Sequence, residues 1–359
     1  MNGDDRMDFR LASYPLDEDQ IALFTHEGVE PRTVGTFEPE KAWQKLRAIN
    51  GKQALGIDLG GSKVFCALYC VKDGALVVDQ GAVTEIEHEN GKGCLGYLEK
   101  CAKRIKDAGL CVGFSFAGIV EGGIVRAGPH VPLFVDDLMQ KCNGDLKEII
   151  PQIQSVQNDA VAGMIGALTR SSGIHENVHS CIFIVNGSGL GAAVMKDGII
   201  IATEVGHTLL SPSVYRRISR MQVAPPSSIE VIAASKAGVE RRWQEFASTA
   251  LTGHEIAQKL YGGDPLARRL YTESAWITAH TVAGLANIFR IQPEKDCLVM
   301  YHGGIFKVAG FSECVTDTLQ RHYNHHLKTI ETTHMSRNIC AEGAALLALL
   351  APKEDKKLS

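Results

Sequence analysis

The amino-acid sequence predicts an α/β protein assembled from two similar lobes with a cleft between them. Two observations carry this. A strand, glycine turn, strand, Asp-Gly turn, strand pattern begins at Ala54 and again at Cys181, and each copy runs on into mixed helical and extended sequence. The length of 359 residues, with 45% hydrophobic and 22% charged residues, suits two packed cores and excludes a largely disordered or fibrous chain.

Residues 1–52 stand apart from this pattern. They are acidic, carry Pro15, Pro31 and Pro39, and read as an accessory arm or tail whose removal spares activity. The first copy follows as ALGIDLGGSKVFCALYCVKDGALVVDQG, with its tight turn at Asp73-Gly74. The second is CIFIVNGSGLGAAVMKDGIIIATEVGH, with its turn at Asp197-Gly198. A type I′ hairpin turn needs positive φ at both central residues, which Asp-Gly tolerates, so both copies are expected to be antiparallel meanders. Between them, residues 91–108 have helical spacing (Leu95, Leu98, Cys101, Ile105), and residues 110–116 read as a strand leading to Ala117-Gly118. A short strand at 155–157 ends at Asn158-Asp159 before a small-residue helix at 160–168. Residues 230–246, 254–260, 265–289 and 341–350 are helical by periodicity.

Several function classes fall away on composition. A formal charge of -4, from 37 basic and 41 acidic residues, leaves no positive excess to neutralise a phosphate backbone, so no nucleic-acid partner is expected. No apolar run approaches the ~18 residues of a membrane span, and the opening MNGDDRMDFR lacks the apolar stretch of a secretory signal. A cytoplasmic protein is expected. Ten cysteines occur without a CxxC pair, and Cys66, Cys111 and Cys181 sit in apolar runs, so they read as buried thiols in a reducing compartment.

The glycines of the first turn in each copy have a different use from those of the hairpin turns. Without Cβ atoms, successive backbone N–H groups can converge on an anion such as a phosphate, and two such loops would grip a nucleotide triphosphate. GSGLGA after CIFIV also fits a dinucleotide fingerprint, but that motif needs a helix directly after its glycines, and here another β-rich run follows. The pattern GxxxxGK[ST] is absent.

Seven segments, in order, resemble the ROK family of sugar kinases and related repressors, within the actin-like ATPase superfamily with its duplicated, ribonuclease H-like domain. GIDLGGSKV (56–64) resembles the first phosphate motif, VQNDAVAGMIGA (156–167) the segment of the catalytic aspartate, and VNGSGLGAAV (185–194) the second phosphate motif. EVGH (204–207) resembles the sugar-contacting Glu-x-Gly-His, and SSIEVIAAS (227–235) the segment of a further sugar-binding glutamate. MYHGGIFKV (300–308) is similar to the late glycine segment beside the adenosine, and EGAALLALL (342–350) to the closing helix. The domain expectation is an extension at 1–52, a small lobe at 53–150 joined by helix 336–352, and a large lobe at 151–335.

The resemblance implies an ATP- and Mg²⁺-dependent sugar kinase. A sugar hydroxyl attacks phosphorus poorly unless its proton is accepted as the bond forms, and Asp159 is the general base by this reading. Asp58 is placed to hold Mg²⁺ through water, and Gly60, Gly61, Ser62, Lys63, Gly187, Ser188, Gly189, Gly303 and Gly304 contact the nucleotide. Asn158, Glu204, His207, Glu230, His130 and Gly118 line the sugar site. A homodimer is also implied. The alternative in the same family is a non-catalytic sugar-binding regulator.

The chain departs from the zinc-bearing members of that family. Residues 211–228, SPSVYRRISRMQVAPPSS, contain no cysteine where those members carry a CxCGxxGC cluster, so no structural zinc is expected. Arg216, Arg217 and Arg220 in this stretch read as a solvated loop. Ala117 stands in place of a usual proline, His130 in place of a sugar-binding asparagine, and Val161 in place of a frequent second asparagine. A histidine offers one donor or acceptor per nitrogen where an amide offers a paired set, which widens the expected substrate to a hexose or amino sugar.

Overall fold

The computed structural model describes residues 31–170, 178–209, 228–291, 297–323, 328–331 and 336–351. They divide into two compact units, one from the described residues of 34–178, 198–202 and 334–359, the other from those of 1–33, 179–197 and 203–333.

The described chain opens with β1 (Arg32–Thr36) and α1 (Pro39–Ala48). Proline at the first helical position lacks only a donor that the helix start would leave unused, and Ala42, Trp43 and Leu46 share one buried face. Trp43 donates its indole N–H to Thr169 O at 2.9 Å. From α1 onward the residues before Gln53 are therefore packed structure rather than a tail.

The first unit is built on a five-stranded sheet. Its strands are β2 (Gln53–Leu59), β3 (Lys63–Lys72), β4 (Ala75–Glu87), β5 (Cys111–Phe116) and, after the short ribbon of β6 (Ile119–Glu121) and β7 (Ile124–Ala127), β8 (Ile153–Asn158), in the order β4-β3-β2-β5-β8. β2, β3 and β4 form the expected meander, turning at Asp73 and Gly74 with φ of 53° and 77°. β5 and β8 add in parallel, aligning Leu59, Phe116 and Asn158 at one edge of the sheet. Helices α2 (Cys94–Asp107) and α3 (Pro132–Cys142) pack Leu98, Ile105, Phe134 and Leu138 with Ile57, Phe114 and Phe116 in one core. A second core, of Ala54, Phe65, Ala67 and Tyr69, takes Ala341 and Ala345 of the helix Ile339–Leu350.

That last helix approaches its neighbours backbone to backbone. A Cβ on Gly113 of β5 would lie 1.8 Å from Ala344 O, and one on Gly343 would lie 1.8 Å from Ala162 O in α4 (Asp159–Arg170). Glycine at these sites is a packing requirement, since ordinary carbon contacts begin near ~3.5 Å.

The second unit carries most of a six-stranded sheet of order β1-β11-β10-β9-β12-β13, built from β9 (Ser180–Asn186), β10 (Leu190–Lys196), β11 (Ile199–Thr203), β12 (Cys297–His302), β13 (Lys328–Glu331) and β1. β9 and β10 pair antiparallel, while β12 pairs in parallel with both β9 and β13. The hairpin at Asp197 and Gly198 repeats the positive φ of the first, 51° and 77°. A strand, β10, follows the glycines of the second copy, which rules out the dinucleotide fold for that motif. The helices Gly253–Tyr261, Pro265–Ile288 and Phe311–Tyr323 complete the unit. The first starts at a Thr252/Glu255 capping box, and the second is capped by Asp264, which accepts from the Leu266 and Ala267 N–H groups.

Two differences from the sequence expectation have physical causes. The helix expected over 230–246 breaks at Ala234 into a turn, Glu230–Ala233, a π-helical stretch, Ser235–Glu240, and the helix Arg241–Ala247. The Ser235 and Lys236 N–H groups donate to Gly187 O instead of to the preceding turn. The boundary drawn after residue 150 does not coincide with the division of the structure, because β8 pairs with β5 and α4 follows it directly, keeping both in the first unit. Periodicity also passed over α1, α3 and the helix Phe311–Tyr323. Of the cysteines, Cys66 and Cys181 are buried as expected but Cys111 is only half-buried, and these three are free thiols, as are Cys70, Cys94, Cys101, Cys142, Cys314 and Cys340.

Candidate active site

In the first unit the expected site residues gather at the edge where parallel strands β2, β5 and β8 end, the edge at which open α/β sheets bind ligands. Asp58 ends on β2 beside Ser115 of β5, and accepts from Ser115 Oγ at 2.6 Å and from Asn338 Nδ2 at 2.8 Å. Burial is the largest influence on its carboxyl and raises its pKa, while these two hydrogen bonds oppose the rise. Asn338 also caps the helix Ile339–Leu350 by accepting from Ala341 N–H, so one side chain ties the closing helix to Asp58.

The turn Gly60, Gly61, Ser62 follows at once, closed by Gly60 N–H donating to Lys63 O at 2.9 Å. His88 braces it from β4's far end. Its backbone N–H donates to Ser62 O, its Nε2 lies 3.0 Å from Gly60 O, and its Nδ1 accepts from Gly91 N–H. Lys63 is turned to the surface, with its ammonium 2.5 Å from Glu85 Oε1.

Asn158 and Asp159 divide the work at the start of α4. Asn158 is buried and caps the helix, its Oδ1 accepting from the Ala160 and Val161 N–H groups while its Nδ2 donates to Gly118 O at 3.0 Å. Asp159 is half-buried in the first turn, with Oδ1 2.9 Å from its neighbour's N–H. Gly118 lies tight against the end of β7, where an added Cβ would meet Ala127 O at 2.3 Å. His130 stands three residues beyond Ala127, half-buried in the loop before α3. Val161 is wholly buried in α4 and is a core residue.

A second group forms in the second unit. The glycine loop between β9 and β10 is closed by Gly187 N–H donating to Gly189 O, and the carbonyls of Gly187 and Ser188 accept from the N–H groups of residues 235–237. Asn186 anchors the base of this loop. Wholly buried, it donates to Ala233 O at 2.8 Å and accepts from Ser235 N–H at 3.1 Å. Gly303, with φ of 125°, presses on the same residue, since an added Cβ there would lie 2.0 Å from Asn186 O. Added Cβ atoms at Gly187 and Gly304 would meet nothing within 4 Å, leaving room for a ligand.

Glu204 follows β11, and the turn Val205–His207 carries the chain past Leu190. Gly206 is required there, because a Cβ would lie 2.2 Å from Leu190 O and 3.4 Å from Glu230 Oε2. A bridge between Leu209 and Ser228, with Ile229 N–H donating to Thr208 O, sets Glu230 beside the turn, and His207 Nδ1 is 3.6 Å from Glu230 Oε1. Arg32 of β1 joins this group with Nη1 3.3 Å from Glu204 Oε1. The loop holding Arg216, Arg217 and Arg220 lies outside the described residues.

The expected residues thus form two groups. Asp58, Gly60, Gly61, Ser62, Lys63, Gly118, His130, Asn158 and Asp159 belong to the first unit, and Gly187, Ser188, Gly189, Glu204, His207, Glu230, Gly303 and Gly304 to the second. Ser115, Asn186, Asn338 and Arg32 were not anticipated. Among the described residues no three His, Cys, Asp or Glu side chains cluster as a metal cage. Mg²⁺ does not need one, since it keeps several waters and binds through one or two carboxylates plus phosphate oxygens. Asp58, a lone carboxylate at a glycine turn, fits that water-mediated role.

This arrangement defines a duplicated α/β protein of the actin-like ATPase fold, with a glycine turn after the first strand of each half. The ROK family model matches residues 54–351, and the chain belongs to the ROK family. Among solved structures it is similar to a ROK family glucokinase from Streptomyces griseus in complex with glucose and AMPPNP, at 18% identity and TM-score 0.58, covering 82% of this chain and 98% of that one. It is also similar to a glucokinase from Balamuthia mandrillaris in complex with glucose, at 15% identity and TM-score 0.61, covering 86% and 98%. A third likeness is to a ROK family transcriptional regulator, a homologue of the E. coli MLC protein, at 20% identity and TM-score 0.57, covering 83% and 78%. No curated protein sequence matches the chain. Among the described residues no helix is long and apolar enough to cross a membrane.

Proposed function

We propose that the chain is an ATP-dependent kinase acting on a hexose or amino sugar. One observation carries the reading: Asp159 stands half-buried in the first turn of α4, directly after the Asn158 amide that caps the helix, at the same sheet edge as Asp58 and its glycine turn.

In the proposed reaction a sugar hydroxyl oxygen attacks the γ-phosphorus of ATP. Asp159 accepts the hydroxyl proton as the new O–P bond forms and the bond to the β-phosphate oxygen breaks, releasing ADP, and a base so placed contributes ~10²–10⁴-fold. Mg²⁺, when bound, neutralises charge on the β- and γ-phosphates, with Asp58 orienting its waters. Backbone N–H groups at 61–62 and 188–189 hold phosphate oxygens, and Gly304 leaves space beside the adenosine. Glu204, His207, Glu230 and His130 hold the sugar, while Asn158 and Gly118, bonded to each other, set the start of α4 beside Asp159. Carboxylates that accept pairs of hydroxyls reject analogues lacking one.

ADP release from ATP and Mg²⁺ with a panel of hexoses, amino sugars and N-acetylhexosamines tests this. Turnover with one sugar, lost in Asp159→Asn while sugar binding is kept, is the expected result. Equal turnover by the variant removes Asp159 from the base role. Sugars that raise the melting temperature without any turnover would make the chain a sugar-binding regulator instead.

A further inference from the structure

The turn that follows Asp58 is soft by composition, because Gly60 and Gly61 carry no Cβ and the peptide they share can turn over at little steric cost. One residue from outside the turn holds that peptide. His88 lies directly after β4, where the ladder that pairs Lys63 with Glu87 gains one further rung, His88 N–H donating to Ser62 O at 2.9 Å. The imidazole then stands with Nε2 3.0 Å from Gly60 O and Nδ1 3.1 Å from Gly91 N.

These two contacts assign the tautomer of the ring. A backbone N–H only donates, so Nδ1 accepts from Gly91 and carries no hydrogen. The hydrogen of the neutral imidazole is therefore on Nε2, and it is donated to Gly60 O, which can only accept. In a planar trans peptide the N–H points opposite to the C=O, so a hold on Gly60 O also turns Gly61 N–H away from His88.

Resting on the nucleotide-binding part of the kinase reading above, we propose that His88 is a positioning residue for ATP. Its Nε2–H keeps the Gly60–Gly61 peptide in the orientation in which Gly61 N–H donates to a phosphate oxygen. Without that bond the peptide is shared between two orientations, and the affinity for phosphate falls with the fraction that is competent to bind.

The test separates the two ring nitrogens. An asparagine at this position offers Oδ1 to Gly91 N–H but is too short to reach Gly60 O, whereas a glutamine carries an Nε2 donor as far out as that of the imidazole. Wild type, His88→Asn and His88→Gln are compared as full chains with Mg²⁺ at neutral pH. The measurements are the calorimetric Kd for a non-hydrolysable ATP analogue, and KM for ATP and for the sugar that turns over. His88→Asn is expected to raise both the Kd and the KM for ATP about five- to tenfold, the scale of one neutral hydrogen bond, and to leave KM for the sugar unchanged. His88→Gln is expected to restore both values to within about twofold of wild type, which a purely structural role of the ring would not allow. Melting temperatures establish that each variant is folded. If His88→Asn does not fold, His88→Ser, whose hydroxyl also accepts from a nearby backbone N–H, replaces it with the same expectation. Wild-type affinity for the analogue in His88→Asn or His88→Ser overturns this assignment and leaves the kinase standing, and so does an equal loss in His88→Gln. A wild-type protein that binds no ATP analogue overturns the kinase reading, and this assignment with it.

Discussion

Gly343→Ala tests the closest packing in the first unit. The added Cβ would lie 1.8 Å from Ala162 O, 2.7 Å from Ala162 C and 2.9 Å from Gly166 N, all of them backbone atoms of α4. No side chain can swing aside, so the two helices must part by more than 1 Å to restore a contact of ~3 Å or longer. Overpacking of this kind costs about 1–3 kcal/mol, and the better helix propensity of alanine returns at most ~1 kcal/mol. A net loss of about 1–2 kcal/mol lowers the melting temperature by about 2–8 °C in a unit of this size. Gly96→Ala is the control: that exposed position in α2 has nothing within 4 Å of the new methyl, so the melting temperature should hold or rise. Thermal unfolding of both variants beside the wild type decides the matter. Equal melting temperatures for Gly343→Ala and wild type would mean that the helices do not approach as described. Because α4 begins at Asp159, parting the helices should also lower turnover more than it weakens ATP binding.

Three further outcomes are expected. Glu342 is buried beside Arg170 and Ser336, and burial raises its carboxyl pKa to about 7 against the pull of both partners. The folded state then holds a proton that the unfolded state releases near pH 4.5, so stability from this group is full below that pH and is lost as pH rises through about 7. Glu342→Gln should therefore flatten the fall in melting temperature between those pH values, and an unaltered slope would count against the burial effect. Trp43→Ala removes a buried ring and its hydrogen bond to Thr169 O, and should cost about 3–5 kcal/mol in denaturant unfolding; a loss under ~1 kcal/mol would return this helix to the status of an accessory arm. Asn338→Ala takes a partner from Asp58 and the cap from the last helix, so it should lower stability by ~1 kcal/mol and raise KM for Mg²⁺-ATP; KM at the wild-type value would separate Asp58 from the metal.

What the sequence disclosed was local. The Asp73-Gly74 and Asp197-Gly198 turns need no distant partner to be recognised, and they fixed both meanders. The segments around Asp58, Asp159 and Glu204 were legible through their resemblance to a family, and they lie near the end of β2, at the start of α4 and directly after β11. The contacts that hold them were not legible, because they join residues far apart in the chain: Asn338 to Asp58, Arg32 to Glu204, Asn186 to Ala233 and Ser235. No spacing rule encodes such pairs. Asn158 shows a different limit, since one amide satisfies a helix start and a neighbouring loop at once, and sequence alone could assign it to a sugar just as readily.

The helix Ile339–Leu350 has a consequence for how the protein is made. Its seats in the first unit, above β2 and β5 and against α4, are synthesised early, yet the helix that fills them leaves the ribosome only after more than 160 further residues. Until then Phe65, Tyr69 and the small-residue face of α4 stand open to water, so the first unit cannot close during translation, although its strands can already pair. Cellular holdases should meet the nascent chain in that interval, and a pause before codon 339 would lengthen it.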